Sequence, residues 1–275
     1  MRITNKTSLT AVIGNPITHS MSPLIHNAIY EREGIDAVML AFGNPSIEKL
    51  VGAIRALPIH LVAVTMPHKQ TLIPLLDSIS DDAREIGAVN TIINKGGMLA
   101  GFNTDVTGVA EALKDVSVEG KNALIIGAGG VAQPVAYHLR KRGAKIYCNN
   151  RDNEQAEALC KKFGGTVIDG KTMSGMKFDL IVNATPIGMP PNIEMSPVPK
   201  NIIRPETVVF DVIYTPLETQ LLKDARAQGA KIISGLTMFI AQALEQENLW
   251  LGRDISDNGY TELIKTHLLT LNKKN

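Results

Sequence analysis

The chain has 275 residues, of which 44% are apolar, so it can bury one large core or the cores of two ordinary domains. Its 28 Lys and Arg residues against 27 Asp and Glu residues leave a net charge of +1, which excludes a strongly basic surface for nucleic acid. No apolar run approaches the roughly 18 residues of a membrane span, and residues 1–10 lack the apolar core of a signal peptide. We therefore expect a cytoplasmic protein that binds small molecules, without a nucleic-acid or membrane partner.

The two cysteines, Cys148 and Cys160, lie close in sequence without metal-ligand partners beside them. They are expected to be buried, reduced thiols, because free cysteine usually packs as a small apolar residue. No metal site is indicated.

Apolar runs alternate with helical patterns over the first part of the chain, which is typical of an α/β domain. Ser46 is a plausible N-cap, and a Gly-Gly pair at 96–97 marks a turn. Strands are predicted over Leu9–Ile13, Ala37–Ala41, Ile59–Val64 and Ala88–Ile93, and helices over Ser22–Glu33, Ser46–Leu57, Lys69–Leu76, Asp81–Ile86 and Asp105–Lys114.

After the helix predicted over Asp105–Lys114, the alternation of strands and helices is clearer and predicts a doubly wound, mostly parallel sheet. Two final helical patterns have no strand between them, and we expect these helices to return to the first domain. Strands are predicted over Ala123–Ile126, Lys145–Cys148, Thr166–Ile168, Leu180–Asn183, Val208–Asp211 and Lys231–Ile233, and helices over Ala132–Lys141, Thr237–Leu251 and Asp257–Leu271.

The stretch from Leu124 to Val131 has the pattern of a strand that enters a phosphate-binding turn before a helix. Gly127 permits the tight turn, and Gly129 lets the backbone approach a pyrophosphate. Ala132 is small enough for close helix packing. A glycine motif alone is weak evidence, so its context must support it.

The end of the following strand is where such a site selects its dinucleotide, about 20 residues after the turn. Arg151 favours NADP there, because an arginine suits a 2′-phosphate. Asp152 favours NAD, because a carboxylate repels that phosphate. Gln155 supplies no second positive charge. The alternative is that Arg151 and Asp152 only form a solvated helix entry.

Polar residues follow the predicted strands of the first half, where ligands of open α/β sheets collect. Each has an ordinary structural explanation: Ser22 or Asp105 as a helix cap, Asn90 as a turn residue and Lys69 as a surface charge. The groups are Ser20-Met21-Ser22, Val64 to Lys69, Gly87 to Thr91 and Asn103-Thr104-Asp105.

Together these motifs closely resemble the shikimate dehydrogenases and their quinate/shikimate dehydrogenase relatives, in one order from about Ala11 to Gly252. The resemblance also covers the Gly-Ala-Gly-Gly turn at 127–130, Asn-Ala-Thr-Pro-x-Gly at 183–188, and Gly235 to Met238 with Gln242. It implies a substrate domain at 1–104 and 237–275 and a Rossmann-like dinucleotide-binding domain at 105–236, with the site in the cleft between them.

The resemblance implies NADP-linked reduction of 3-dehydroshikimate to shikimate, with Lys69 and Asp105 as the acid/base pair. A Lys ammonium beside the reacting carbonyl can stabilise developing negative charge and deliver a proton. The implied substrate-binding residues are Ser20, Ser22, Thr65, Asn90, Tyr214 and Gln242. The implied cofactor-binding residues are Asp81, Gly127, Ala128, Gly129, Gly130, Val131, Asn150, Arg151, Asp152, Gln155, Val212 and Gly235.

Several positions depart from the family pattern. His68 replaces the usual Phe and is expected to be a packing substitution, because Lys69 already fills the acid/base role. The family's Asn-Arg-Thr clamp is Asn150-Arg151-Asp152 here, so we expect weakened NADP preference. Two alternatives stay open: a quinate/shikimate dehydrogenase that also uses NAD, and a regulator that binds a dinucleotide without catalysis. A monomer or a homodimer is expected.

Overall fold

The computed structural model describes residues 3–272 and divides into two compact α/β units. The first unit ends at Asp105 and resumes over Ile240–Ile264, and the second unit is Val106–Phe239 and resumes at Lys265. Residues 1–2 and 273–275 of the predicted substrate domain lie outside the described residues. The domain boundaries drawn from the sequence stay a prediction.

The first unit contains a six-stranded mixed sheet in the order β2-β1-β3-β5-β6-β4. Strands β1, β2 and β3 are parallel, whereas β5 is antiparallel to both β3 and β6. Its elements are β1 (Ser8–Gly14), α1 (Ser22–Glu33), β2 (Ala37–Gly43), α2 (Ile47–Ala56), β3 (Ile59–Val64), α3 (His68–Thr71), a 3₁₀ turn (Ile73–Leu75), β4 (Ser78–Ile79), α4 (Asp81–Ile86), β5 (Thr91–Lys95) and β6 (Met98–Phe102).

Strand β1 is buried on both faces from Thr10 to Gly14, which explains its apolar run from Ala11 to Ile13. Ile13 packs into one cluster with Val62 and Leu72, and Val12 packs into another with Tyr30. The β5–β6 hairpin closes through the predicted glycine turn at 96–97, where φ is +62° and +89°. Two successive positive φ angles match the twist of a tight hairpin and favour glycine.

The second unit contains a six-stranded sheet, entirely parallel, in the order β12-β11-β10-β7-β8-β9. This is the doubly wound order, in which the winding direction reverses between β7 and β10. The predicted fold class is confirmed. From Asp105 onward the elements are α5 (Asp105–Ala112), β7 (Asn122–Ile126), α6 (Ala132–Lys141), β8 (Lys145–Asn149), α7 (Asn153–Phe163), β9 (Thr166–Val167), α8 (Gly170–Gly175), β10 (Leu180–Asn183), a 3₁₀ turn (Lys200–Ile202), β11 (Val208–Asp211), α9 (Gln220–Ala227), β12 (Lys231–Ser234), α10 (Gly235–Leu251) and α11 (Tyr260–Asn272). Most of α10 and the start of α11 belong to the first unit, which includes Ile240–Ile264.

Three predicted elements differ from the structure by three residues or more at one end. The helix predicted over Lys69–Leu76 is interrupted after Thr71, because Pro74 lacks an N–H and its ring cannot continue an α-helix. The last helix begins at Tyr260 rather than Asp257, because Gly259 has φ +85°. The strand predicted from Ala88 begins at Thr91, and the two-residue β4 was not predicted.

Both cysteines are buried and free, and burial raises the pKa of the Cys148 thiol to about 12. Over residues 3–272, no helix is both long and apolar enough to cross a bilayer.

Candidate functional site

Lys69 and Asp105 form a close ion pair in the first unit. Lys69 lies in α3, just after β3, and Asp105 is the first residue of α5, just after β6. Lys69 Nζ lies 2.5 Å from Asp105 Oδ2, and the two side chains are only 11% and 7% exposed. Burial weakens screening by solvent, so the carboxylate holds the ammonium strongly at this position.

Asn90 supports the other carboxylate oxygen of Asp105. Asn90 Oδ1 accepts from the Thr104 N–H at 2.7 Å and from Thr91 Oγ1 at 2.8 Å. These donors fix the direction of the amide, so its Nδ2 must face Asp105 Oδ1, to which it donates at 3.0 Å. Asn90 is 2% exposed and reaches Gln242 Oε1 at 3.4 Å.

Helix α10 contributes two glutamines to this network, of which the sequence analysis identified only Gln242. Gln246 is 1% exposed, and its Nε2 donates to the Asn90 carbonyl at 3.2 Å and to Thr91 Oγ1 at 3.0 Å. The spacing of four residues places Gln242 and Gln246 on one helix face. That spacing was the available signal for Gln246.

Ser20 and Ser22 lie in the first unit at the start of α1, which follows β1, and Thr65 is the residue directly after β3. The Ser22 N–H donates to Ser20 Oγ at 3.3 Å. Ser22 is not the N-cap of α1, because Met21 occupies that position without a side-chain hydrogen bond. The Thr65 N–H donates to the Ile13 carbonyl at 2.9 Å, which ties the start of the Lys69 segment to β1.

His68 is buried beside Lys69, and its Nε2 lies 2.8 Å from the Asn44 carbonyl. Because a carbonyl only accepts, this nitrogen carries a proton and is committed to the backbone. The side chain therefore anchors α3 to the loop after β2.

The glycine turn in the second unit has the geometry expected of a dinucleotide-binding turn. Gly127 has φ +103°, and a Cβ there would lie 2.9 Å from both Ala184 O and Thr185 Cγ2. A Cβ on Gly129 would meet nothing within 4 Å, so this part of the backbone, between Ala128 and Gly130, is open. Val131 occupies the N-cap position of α6 and makes no side-chain hydrogen bond there. A helix N-terminus without a side-chain cap, beside open glycine backbone, fits a pyrophosphate.

Of the residues after β8, Asn150 is half-buried, whereas Arg151, Asp152 and Gln155 are exposed. Asp152 is the N-cap of α7, and its Oδ1 accepts from the Gln155 N–H at 3.2 Å. Asn150 Nδ2 donates to the Asp152 carbonyl at 2.9 Å. Arg151 makes no hydrogen bond or ion pair with any residue in 3–272, so its guanidinium can receive an anion.

The remaining predicted residues are divided between the units. Tyr214 stacks on Phe239 in the second unit, with ring centroids 4.3 Å apart. Gly235 packs against the backbone of Val212, whose carbonyl oxygen lies 2.2 Å from the position of a Cβ. Asp81 is the first residue of α4, in the first unit, directly after its N-cap Ser80.

Sequence reasoning missed a buried carboxylate in the second unit, Asp211. It accepts hydrogen bonds from Asn183, Ile213 and Thr219. Burial raises its pKa to about 6 against the opposing effect of these donors. Its position as the last residue of an apolar strand was the only available signal. Within residues 3–272, no group of three or more His, Cys, Asp and Glu side chains could hold a metal ion.

Comparison with known proteins identifies the family. Residues 12–92 match the shikimate dehydrogenase substrate binding domain, and residues 109–202 match shikimate / quinate 5-dehydrogenase. The shikimate dehydrogenase (NADP(+)) of Pyrococcus abyssi is 42% identical over 88% of this chain and 91% of its own length. The chain belongs to the shikimate dehydrogenase family. The family resemblance predicted from the sequence is thereby confirmed.

Solved structures of family members are similar over almost the whole chain. Shikimate dehydrogenase from Aquifex aeolicus has a TM-score of 0.88 at 37% identity and covers 95% of this chain and 98% of its own. Shikimate 5-dehydrogenase from Listeria monocytogenes, solved in complex with shikimate and NAD, has a TM-score of 0.87 at 32% identity and covers 96% and 98%.

Proposed function

We propose that the chain is an NADP-linked shikimate dehydrogenase, which reversibly reduces 3-dehydroshikimate to shikimate. The observation that carries the proposal is the buried ion pair of Lys69 and Asp105, held by Asn90, in a chain whose curated relatives are NADP-dependent shikimate dehydrogenases.

The chain's own residues divide the chemistry between them. The nicotinamide dinucleotide supplies the hydride acceptor when shikimate is oxidised. In the reduction, the Lys69 ammonium stabilises the negative charge that develops on the carbonyl oxygen and delivers a proton to it, and the oxidation of shikimate runs the same transfer in reverse. Asp105 keeps the ammonium in position. Asn90 keeps the direction of the Asp105 carboxylate, since its own amide cannot turn without losing the Thr104 and Thr91 hydrogen bonds.

Two further sets of residues complete the proposed site. Ser20, Ser22, Thr65, Asn90, Gln242 and Tyr214 bind the ring hydroxyls and the carboxylate of the substrate. The glycine turn at 127–131, with Asn150, Arg151, Asp152 and Gln155, binds the dinucleotide, and Asp81, Val212 and Gly235 contact its nicotinamide end. We also propose the domain division 1–104 and 237–275 against 105–236, a cytoplasmic location, and a monomer or homodimer.

Cofactor selectivity depends on Arg151 and Asp152. Arg151 has no competing partner within the described chain, so it can pair with a 2′-phosphate. The Asp152 carboxylate is used as a helix cap, yet its charge still opposes a nearby phosphate. We propose that preference for NADP persists but is weakened.

Product analysis tests the proposed function. The purified chain is incubated with shikimate and NADP, and NADPH and 3-dehydroshikimate are quantified separately. Equimolar formation of both products is expected. NADPH binding without formation of either product would instead support a dinucleotide-binding regulator.

A further inference from the structure

Asp211 is the centre of a buried polar cluster at the carboxyl end of the parallel sheet. Its Oδ1 accepts from Asn183 Nδ2 at 3.0 Å and from the Ile213 N–H at 3.1 Å, and its Oδ2 accepts from Thr219 Oγ1 at 2.6 Å. Asp211, Asn183 and Thr219 each have 0% exposure. We call these three residues the Asp211 cluster.

The hydrogen bonds of Thr219 show why an amide at position 211 could not replace the carboxylate. Its hydroxyl donates to Asp211 and also accepts from the Leu222 N–H, as the N-cap of α9. An amide N–H at position 211 would offer this hydroxyl a second donor and leave the hydroxyl proton without its acceptor. The cluster therefore requires an acceptor-only group at position 211.

Asn183 links Asp211 by hydrogen bonds to the loop after β10. Its Nδ2 donates to Asp211 and to the Ile187 carbonyl, so its Oδ1 must face the other way. That oxygen accepts from the Thr185 N–H at 3.0 Å and from Thr185 Oγ1 at 2.7 Å. The carboxylate thus orients the Asn183 amide, and this amide holds Thr185 in the loop at 184–188.

This loop lies directly against the glycine turn. A Cβ on Gly127 would lie 2.9 Å from Ala184 O and 2.9 Å from Thr185 Cγ2. The glycine turn follows β7 and the loop follows β10, the two strands between which the sheet reverses its winding. Ligands of such sheets bind in the crevice at this reversal.

We propose that the residues of the Asp211 cluster are positioning residues for dinucleotide binding. Through Asn183 and Thr185 they place the loop at 184–188 against the glycine turn. The cluster does not contact the reacting atoms, and it acts on the affinity for the cofactor rather than for the acid substrate. The proposal rests on the proposed function only in its assignment of the dinucleotide to this crevice.

Thr219→Val tests the proposal, with Thr207→Val as the matched control. Thr207 also has 0% exposure and lies just before β11, at its opposite end, where its hydroxyl donates to the Phe178 carbonyl at 3.0 Å. Both substitutions remove one buried hydroxyl from the same unit. The dissociation constant for NADPH is measured by fluorescence titration, and the melting temperature is measured by thermal unfolding.

We expect Thr219→Val to raise the NADPH dissociation constant about tenfold and Thr207→Val to leave it within about twofold, although both lower the melting temperature. Thr219→Ser, which keeps the hydroxyl, should restore affinity. Equal NADPH affinities of the two valine variants would overturn the proposal and leave the cluster a purely structural role.

If Thr219→Val does not fold, Asp211→Asn replaces it, and its NADPH dissociation constant should rise likewise. An unchanged NADPH affinity of Asp211→Asn would also overturn the proposal. The KM for shikimate at saturating NADP should stay within about twofold of wild type in every folded variant. A wild-type chain that binds NADPH and fails to oxidise shikimate would contradict the proposed function, whereas the affinity comparison would still test the cluster.

Discussion

Replacing Asp105 with Asn tests the acid/base pair through a change of one heavy atom. Asp105 accepts from Lys69 Nζ at 2.5 Å through one oxygen and from Asn90 Nδ2 at 3.0 Å through the other. An amide has one accepting oxygen and one donating nitrogen, so either orientation places an N–H group against a donor. No rotation of the new side chain restores both hydrogen bonds.

The burial of the pair sets the expected magnitude. With side chains only 11% and 7% exposed, Lys69 and Asp105 are poorly screened by solvent. Removal of one partner of a buried ion pair costs about 3–5 kcal/mol, because the remaining charge is uncompensated. A displaced acid/base group costs roughly 10²- to 10⁴-fold in rate. We therefore expect Asp105→Asn to lower kcat for shikimate oxidation by at least about 100-fold and the free energy of unfolding by roughly 3 kcal/mol.

Steady-state rates at saturating shikimate and NADP measure kcat, and urea denaturation measures the free energy of unfolding. Asp77→Asn is the matched control, because Asp77 pairs with Arg55 at 2.7 Å in the same unit but with side chains 28% and 35% exposed. Its kcat should stay within about twofold of wild type. Near-normal kcat in Asp105→Asn would refute the argument that this carboxylate holds Lys69 for proton transfer.

Three further predictions concern Lys69, Asp152 and His138. Lys69→Ala should lower kcat by at least about 100-fold with little change in the KM for shikimate, and a near-normal kcat would remove Lys69 from the mechanism. Asp152→Asn keeps a good N-cap for α7 but removes a negative charge, so the ratio of kcat/KM for NADP to kcat/KM for NAD should rise several-fold; an unchanged ratio would show that the charge of Asp152 does not affect the choice of dinucleotide. Burial, and secondarily Arg142, lowers the pKa of His138 from 6.5 to about 4. The unfolded chain therefore binds more protons in that window, and the free energy of unfolding should decrease as the pH falls from about 6.5 to 4. Urea denaturation of His138→Gln should show a shallower pH dependence, and an unchanged slope would exclude His138 as its source.

The sequence predicts the elements whose signals are local. Ser46 precedes an amphipathic run and is the observed N-cap of α2, and Leu180–Asn183 is a short apolar run with the observed bounds of β10. These features depend on propensity and periodicity within a few residues. The interruption after Thr71 also has a local signal, Pro74, which lies inside the helix predicted over Lys69–Leu76.

The features that the sequence did not reveal depend on contacts between distant residues. The apolar strand that Asp211 ends is the only local sign that its carboxylate is buried, because its side-chain partners Asn183 and Thr219 come from different segments. The direction of the Asn90 amide likewise depends on Thr104, from the far side of the β5–β6 hairpin. The sequence predicts the residue types of the proposed site, whereas the structure is needed to show which of these residues are hydrogen-bonded to each other.

The most direct test of the central claim is a set of four initial-rate measurements, shikimate and quinate oxidation each with NADP and with NAD. We expect the highest kcat/KM for shikimate with NADP, with measurable activity for NAD because Asp152 weakens the discrimination. A kcat/KM for NADP more than about a thousandfold above that for NAD would contradict the weakened preference. Activity with neither acid would contradict the assignment as a shikimate dehydrogenase.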